Sequence, residues 1–241
     1  YQKGLGDVYL VQNKPAQAAQ AYTQAITLDN WWPQPRLGLA RALADLGKTD
    51  AAIQQLRKAV EIAPGYVEAQ VALASALDHQ GAHDEALRIY QNTAGAHAGN
   101  ALATVALGHA WLERGQWDKA EQSYRATIAV NPGSSDGYVG LAAILTDQAR
   151  FDEAQTFLDK AFALDRQNVN AYIQSGVLAQ RLGDGKQALD WFNKATNLRL
   201  SDPSIALTLV DLLRGSGNYA TAITYIQDRL QQRPDDADLL L

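Results

Sequence analysis

Apolar and small residues recur along this chain at intervals of three and four, the spacing of one face of an α-helix. The whole pattern repeats every 34 residues, and an alanine marks each step: Ala18, Ala52, Ala86, Ala120, Ala154, Ala188 and Ala222. A fixed period of this size predicts one supersecondary unit stacked on copies of itself. An unvarying alanine predicts that two helices approach too closely there for a larger side chain.

Each repeat predicts two helices. With the ladder alanine numbered as position 20, positions 4, 7, 8 and 11 share an apolar face and predict helix A over positions 2–14. Helix B carries position 20 and a bulky residue at position 24: Tyr22, Leu56, Tyr90, Tyr124, Leu158, Phe192 and Ile226. Position 15 holds Asn13, Gly47, Gly81, Gly115, Ala149, Gly183 and Gly217. This column predicts a helix C-cap with positive φ.

These motifs resemble the tetratricopeptide repeat, most closely in the segment Gly115-Gln-Trp-Asp-Lys-Ala-Glu-Gln-Ser-Tyr124 and in Ala63-Pro-Gly-Tyr66 between repeats. The resemblance implies an all-α fold, an α-α superhelix of antiparallel helix pairs with a right-handed twist, in which helix A lines the concave side. The seven repeats are 1–32, 33–66, 67–100, 101–134, 135–168, 169–202 and 203–236, and residues 237–241 predict the start of a further helix. They form a single array, which we interpret as a fragment of a longer chain.

Two repeats depart from the pattern. Repeat three ends in Thr93-Ala-Gly-Ala-His-Ala-Gly99 without the usual proline, which predicts that its B helix stops early. Repeat six has Ser175, Ala179 and Gly185 where larger residues are usual, which predicts looser packing.

The linker after repeat one contains two adjacent tryptophans. Trp32 falls where Tyr66 falls in the next linker and is interpreted as a hydrophobic staple. Trp31 is the surplus aromatic residue. The simpler interpretation is that it packs against the first seam between repeats, in preference to a binding role.

Helical geometry places positions 2, 5, 6, 9, 12 and 13 opposite the buried face, so they are expected to face the concave groove. Position 5 is aliphatic from repeat two onwards, and position 6 is mostly small. This pattern predicts a groove in which a row of aliphatic side chains at position 5 stands beside small residues at position 6, with side chains of both charges along the edges. The predicted peptide-binding residues are Leu37, Arg41, Val71, Asp78, Val105, His109, Val139, Ile173, Arg181 and Leu207. The alternative is that position 5 packs sideways against the neighbouring A helix.

Composition removes several classes of function. The net charge of −5 and the absence of a basic stripe argue against nucleic-acid binding. No apolar run reaches the roughly eighteen residues of a membrane-spanning helix. Cysteine is absent, which excludes disulfides and thiolate metal sites. His79 and His83 are separated by Gly81, so helical metal-ligand spacing is not expected. The sequence contains no phosphate-binding glycine motif, and we predict no catalytic residue, cofactor or metal.

The sequence therefore predicts a non-catalytic scaffold that binds an apolar or amphipathic protein segment. One alternative is the docking or regulatory region of a larger enzyme whose catalytic domain lies outside this chain. Another is a periplasmic scaffold for bacterial exopolysaccharide export of the cellulose type, and the composition favours the bacterial periplasm over the cytoplasm. Neither end carries a polar cap, which predicts further flanking repeats or self-association.

Overall fold

The computed structural model describes residues 1–198 together with Ala220, Ile223, Thr224 and Gln227. Residues 1–198 form twelve α-helices and no strand. The helices are α1 (Gln2–Val11), α2 (Pro15–Leu28), α3 (Pro33–Asp45), α4 (Thr49–Ile62), α5 (Val67–His79), α6 (His83–Ala96), α7 (Ala101–Glu113), α8 (Trp117–Val130), α9 (Ser135–Asp147), α10 (Phe151–Leu164), α11 (Val169–Arg181) and α12 (Gly185–Leu198). The odd-numbered helices correspond to helix A and the even-numbered ones to helix B.

The chain divides into two compact units, Tyr1–Ser123 and Tyr124–Leu241, and the boundary falls inside α8. In the N-terminal unit one large core cluster contains Leu56, Leu73 and Leu77 from α4 and α5. In the C-terminal unit Leu158 and Leu178 belong to one cluster and Phe192 to another. The seventh repeat and Ala222 lie outside the described residues.

The alanine ladder is structural. Each of its first six members is at most 1% exposed, and each lies within an even-numbered helix that follows its partner across a short turn. At such a contact a larger side chain would require the two backbones to separate, which a close-packed interior resists.

The chain reverses direction between paired helices at position 15, where the sequence predicts a residue with positive φ. All six described residues at this position have positive φ: Asn13 (54°), Gly47 (71°), Gly81 (91°), Gly115 (65°), Ala149 (59°) and Gly183 (83°). At the third turn the Gly81 amide donates to the Asp78 carbonyl (2.9 Å) and the Ala82 amide to the Leu77 carbonyl (2.8 Å). This arrangement satisfies the last carbonyls of α5.

The expectation of an early end to the B helix of repeat three is wrong. Helix α6 has 14 residues, as many as α4 and α10. Its last turn is closed by the His97 amide, which donates to the carbonyl of the buried Thr93 (2.9 Å). The next helix is then capped by Asn100, whose side-chain oxygen accepts from the Ala103 amide (3.2 Å).

Repeat six does not show the looser packing that its small residues predict. Ala188 and Phe192 are fully buried, and Ser175 is buried with its hydroxyl donating to the Ala171 carbonyl (2.8 Å). Gly176 explains the fit, because a Cβ there would overlap the Phe192 ring. Phe192 therefore packs directly against the α11 backbone at Gly176.

Candidate functional site

The aliphatic ridge at position 5 exposes less surface than the sequence pattern suggests. Leu37, Val105 and Val139 are only 5%, 8% and 2% exposed, whereas Val71 and Ile173 are half-buried. Leu37 belongs to the same core cluster as residues of α4 and α5. Sideways packing, the alternative interpretation of this column, therefore describes Leu37 better than an exposed ridge does. Leu207, the last predicted member, lies outside the described residues.

The small residues at position 6 do not form an open floor throughout. Gly38 lies against the ring of Tyr22 from the preceding repeat, and Gly140 lies in the same way against Tyr124. Only at Gly4, among these three glycines, would an added Cβ meet no atom within 4 Å. The aromatic residue at position 24 thus fills space that the sequence assigned to the groove.

The predicted polar residues are more accessible. Arg41 in the N-terminal unit and Arg181 in the C-terminal unit are exposed, and His109 is half-buried. Arg181 pairs with Asp147 through an Nη2–Oδ1 distance of 2.9 Å. Polar side chains, and not the aliphatic column, therefore provide most of the accessible predicted surface.

Asp78 lies in a cleft of about 550 Å³ in the N-terminal unit, which we call the Asp78 cleft. It is lined by Ser75, Asp78, His79, His83, Tyr90, Glu113 and Arg114. The end of α5, the start of α6 and the end of α7 meet here. His109, the other predicted residue of this region, does not line the cleft.

Asp78 is the centre of a polar network in this cleft. Its Oδ1 accepts from Arg114 Nη2 (2.7 Å) and lies 2.9 Å from His83 Nδ1, and the side chain is 11% exposed. Arg114 also donates to the Ala110 carbonyl (2.7 Å) and the His83 carbonyl (3.0 Å). Asp78 Oδ2 is buried with no hydrogen-bond donor among the described residues. The cleft thus contains a carboxylate that Arg114 holds in place, with its second oxygen enclosed by the protein.

Tyr90 lines the same cleft, and its environment raises the pKa of its phenol. Burial raises the pKa of its phenol to about 12, and the carboxylates of Asp78 and Glu113 act in the same direction. A hydrogen bond with Ser75 and the charge of Arg114 oppose the shift. The phenol therefore remains protonated near neutral pH.

A second cleft, of about 360 Å³, surrounds Arg41 and is called the Arg41 cleft. It is lined by Lys3, Asp7, Leu10, Val11, Tyr22, Gln34, Leu37, Gly38, Arg41 and Tyr66. Asp7 accepts from the Tyr22 hydroxyl (2.8 Å) and from Lys3 Nζ (2.7 Å). Burial acts to raise the pKa of Asp7, but these two hydrogen bonds together with the charges of Lys3 and Arg41 outweigh it and lower the pKa below 3.8. Both clefts thus combine fixed charges with a position-24 tyrosine.

The sequence pattern identified Asp78 and Arg41 but missed several of their partners. Lys3 and Asp7 are four residues apart on α1, a spacing that signals an ion pair. Arg114 lies 36 residues after Asp78, one repeat plus two, so the repeat period alone does not align them. Tyr22 and Tyr90 were assigned only to packing. Their hydroxyl groups reach polar partners that the periodicity of the apolar positions does not reveal.

The Asp78 and Arg41 clefts hold charged side chains in fixed positions, which suits contacts with charged groups and not the binding of a metal ion. Among the described residues no group of three or more histidine, cysteine, aspartate or glutamate side chains could hold a metal ion. His79 and His83, the pair with four-residue spacing, fall on different helices, as expected from Gly81. In the same part of the chain no helix combines the length and apolar character needed to cross a bilayer.

Comparison with protein families gives a consistent result. One model described as a tetratricopeptide repeat matches residues 3–67 and 37–101. A second model of the same description matches residues 79–144 and 112–176. No curated protein sequence matches the chain significantly.

Several solved structures share the fold. The APC/C hetero-tetramer Cut9–Hcn1 aligns over 94% of this chain with a TM-score of 0.65 and 16% identity. This chain covers 47% of that chain, about half its length. TTC0263, a thermophilic TPR protein of Thermus thermophilus, aligns over 76% of this chain and 99% of its own, with a TM-score of 0.63 and 21% identity. MamA aligns over 68% of this chain and 95% of its own, with a TM-score of 0.52 and 25% identity. The all-α helical-repeat fold class is therefore confirmed.

Proposed function

Because the chain belongs to the tetratricopeptide repeat family, whose repeats act as protein-interaction scaffolds, we propose that it binds an amphipathic protein segment without catalysing a reaction. The Arg41 and Asp78 clefts of the N-terminal unit are the proposed contact points. Charged side chains of the segment would enter these clefts, while its apolar side chains would cover half-buried aliphatic residues such as Val71.

The Asp78 cleft is the main support for this proposal. Its carboxylate is held in place by Arg114 and retains an oxygen without a donor among the described residues. A lysine or arginine of a bound segment would pair with the carboxylate of Glu113, which is exposed at the same cleft, while the buried Asp78 carboxylate adds to the negative charge there. Fixed partners lose little conformational entropy on binding, which favours recognition at a preformed site.

The Arg41 cleft provides a contact of opposite sign. Arg41 is exposed, and Asp7 in the same cleft is already occupied by Lys3 and Tyr22. An acidic side chain of the segment would therefore pair with Arg41. Two clefts of opposite preference would fix the direction in which a segment binds, because reversing it would place like charges together.

The experiment selects binding peptides from a random phage-displayed library with the intact chain and measures their affinities by fluorescence polarisation. The test variant carries Arg41→Glu with Glu113→Lys, which leaves the net charge unchanged and alters only exposed side chains. The matched control carries Arg88→Glu with Asp84→Lys on α6, also at exposed positions. We expect about tenfold weaker binding for the test variant and unchanged binding for the control.

Two results would overturn this proposal. One is a selection that yields no peptide with measurable affinity. The other is a set of peptides that bind the test variant and the control equally well. Circular dichroism of both variants checks that helical content is retained.

A further inference from the structure

Arg36, near the start of α3, is a buried guanidinium without an acidic partner. It is 8% exposed. Its Nη1 donates to Gln55 Oε1 (2.9 Å), and its Nη2 donates to the side-chain and backbone oxygens of Asn30. No described carboxylate lies within ion-pair distance, and Nε is buried without any described acceptor. Burying a cation with only neutral partners is costly, so this arrangement requires an explanation beyond packing.

A cleft of about 750 Å³ lies beside this guanidinium, between the α2–α3 linker and α4. We call it the Arg36 cleft, and it shares no lining residue with the Arg41 or Asp78 cleft. Its volume lies within the range typical of small-ligand sites. Asn30, Trp31, Gln55 and Lys58 line it together with Arg36.

Trp31 is 77% exposed at this cleft, so the interpretation that it packs against the seam between repeats is wrong. The linker backbone is nevertheless fixed, because the Trp31 amide donates to Asp29 Oδ1 (3.0 Å). The indole is therefore a large apolar surface on an ordered turn. Aromatic residues in this setting are frequent anchors for a partner.

The charges of the cleft are predominantly positive in a chain whose net charge is −5. Arg36, Arg57 and Lys58 line it, against the single carboxylate of Glu61. Glu61 pairs with Lys58 (2.8 Å), and Arg57 pairs with Glu85 (2.9 Å) outside the lining. Arg36 thus has no ion-paired carboxylate, and the Glu61 carboxylate interacts with its charge only at longer range.

We propose that the Arg36 cleft is a second binding site, for an acidic peptide segment in which a carboxylate is flanked by an apolar side chain. The carboxylate would pair with the Arg36 guanidinium, which presents a planar array of donors suited to that group. The apolar neighbour would cover the exposed indole of Trp31. A guanidinium also suits a phosphate, so phosphoserine is the competing occupant in the test below.

The test uses an array of hexapeptides with apolar flanks and a variable central pair. The central pair is Asp/Glu in one set, Asn/Gln in the second and phosphoserine in the third. The intact chain should bind the acidic set about tenfold more tightly than the amide set, since only the former makes charge-assisted hydrogen bonds. In NMR spectra the Arg36 Nε–H and Trp31 indole resonances should shift on adding the tightest acidic peptide.

Three variants test whether the peptide binds at the Arg36 cleft itself, as distinct from a general effect on packing or from binding at the Arg41 and Asp78 clefts. Trp31→Ala alters an exposed side chain and should weaken binding of the acidic set about tenfold, whereas Trp117→Ala should leave it unchanged. The variant carrying Arg41→Glu with Glu113→Lys removes any contribution of the Arg41 cleft and should still prefer the acidic set to the amide set, so this inference and the proposed function fail separately. Equal binding of the acidic and amide sets, preference for phosphoserine, or an unchanged affinity in Trp31→Ala would overturn the inference.

Discussion

Gly38 of α3 lies so close to the ring of Tyr22 on α2 that a Cβ at residue 38 would overlap the ring carbons. Gly6 of α1 approaches the same ring from its own repeat, where a Cβ would lie 2.7 Å from a ring carbon. One tyrosine therefore occupies the space left by two glycines in successive A helices. The equivalent residues are Ala40 and Ala72 for Leu56, and they are also alanines, Ala74 and Ala106, for Tyr90, so the glycines reflect the placement of the Tyr22 ring and not the size of residue 24 alone.

Replacing Gly38 with alanine is expected to destabilise the chain by about 1–3 kcal/mol, since the added methyl group would displace a buried ring. Gly4 is the matched control, because it occupies the same position in repeat one and has no atom near its Cβ direction. Gly4→Ala should stabilise the helix by about 0.5–1 kcal/mol. Urea denaturation followed by circular dichroism measures both.

A double variant gives a stricter test of the same contact. Tyr22→Leu makes room for a methyl group at residue 38, as in the repeat that contains Leu56. Combined with Gly38→Ala, it should destabilise by less than the sum of the two single changes. Additive effects would show that the tyrosine ring does not limit the size of residue 38.

Asp78→Asn should destabilise the chain by about 1–3 kcal/mol, because the substitution removes a charge that pairs with the largely buried Arg114. Glu153→Gln is the control, since Glu153 pairs with Arg150 (2.6 Å) on an exposed surface. Exposed pairs contribute little, so the control should hardly change the melting temperature. The measurement is thermal unfolding at low and high salt. A larger loss for Glu153→Gln would contradict the central role of Asp78.

The pKa of Tyr90 predicts a loss of stability at alkaline pH. Its value of about 12 in the folded chain exceeds the ordinary 10.0. The folded state therefore holds the phenolic proton more tightly than the unfolded state does, and the resulting stability is complete below pH 10. It should disappear as the pH rises from 10 to about 12.

Urea denaturation across this alkaline range checks the prediction for Tyr90. In Tyr90→Phe the free energy of unfolding should fall less steeply with pH, because that titrating group is gone. Tyr1→Phe alters a tyrosine that is 99% exposed and should leave the slope of the parent unchanged. An identical slope in all three proteins would show that Tyr90 does not contribute.

Ala149→Gly should stabilise the C-terminal unit by about 0.5–1 kcal/mol. Ala149 has a φ of 59°, a conformation that strains a residue with a Cβ. Glycine removes that strain and gives back part of the gain through greater freedom in the unfolded chain. Gly183→Ala, at the same position of the next repeat, should have the opposite effect. Thermal unfolding of the two variants measures both shifts, and shifts of the same sign would contradict the prediction.

The sequence by itself determined the features that depend on contacts within one repeat. The ladder alanine and the glycine column have local causes, a close approach of paired helices and a turn with positive φ. Both therefore recur with the period of the chain. Even Asn13 and Ala149, which break the glycine pattern, adopt the conformation that the column predicts.

Only the tertiary structure decided which surfaces are accessible. The burial of Leu37, the contact between Gly38 and Tyr22, and the exposure of Trp31 depend on how neighbouring helices are placed against each other. Arg36 illustrates the same limit, because nothing in its sequence context shows that its guanidinium is buried between Asn30 and Gln55. Periodicity assigns a residue to a helix face. Burial further depends on the size of the side chains that the adjoining repeats place opposite that face.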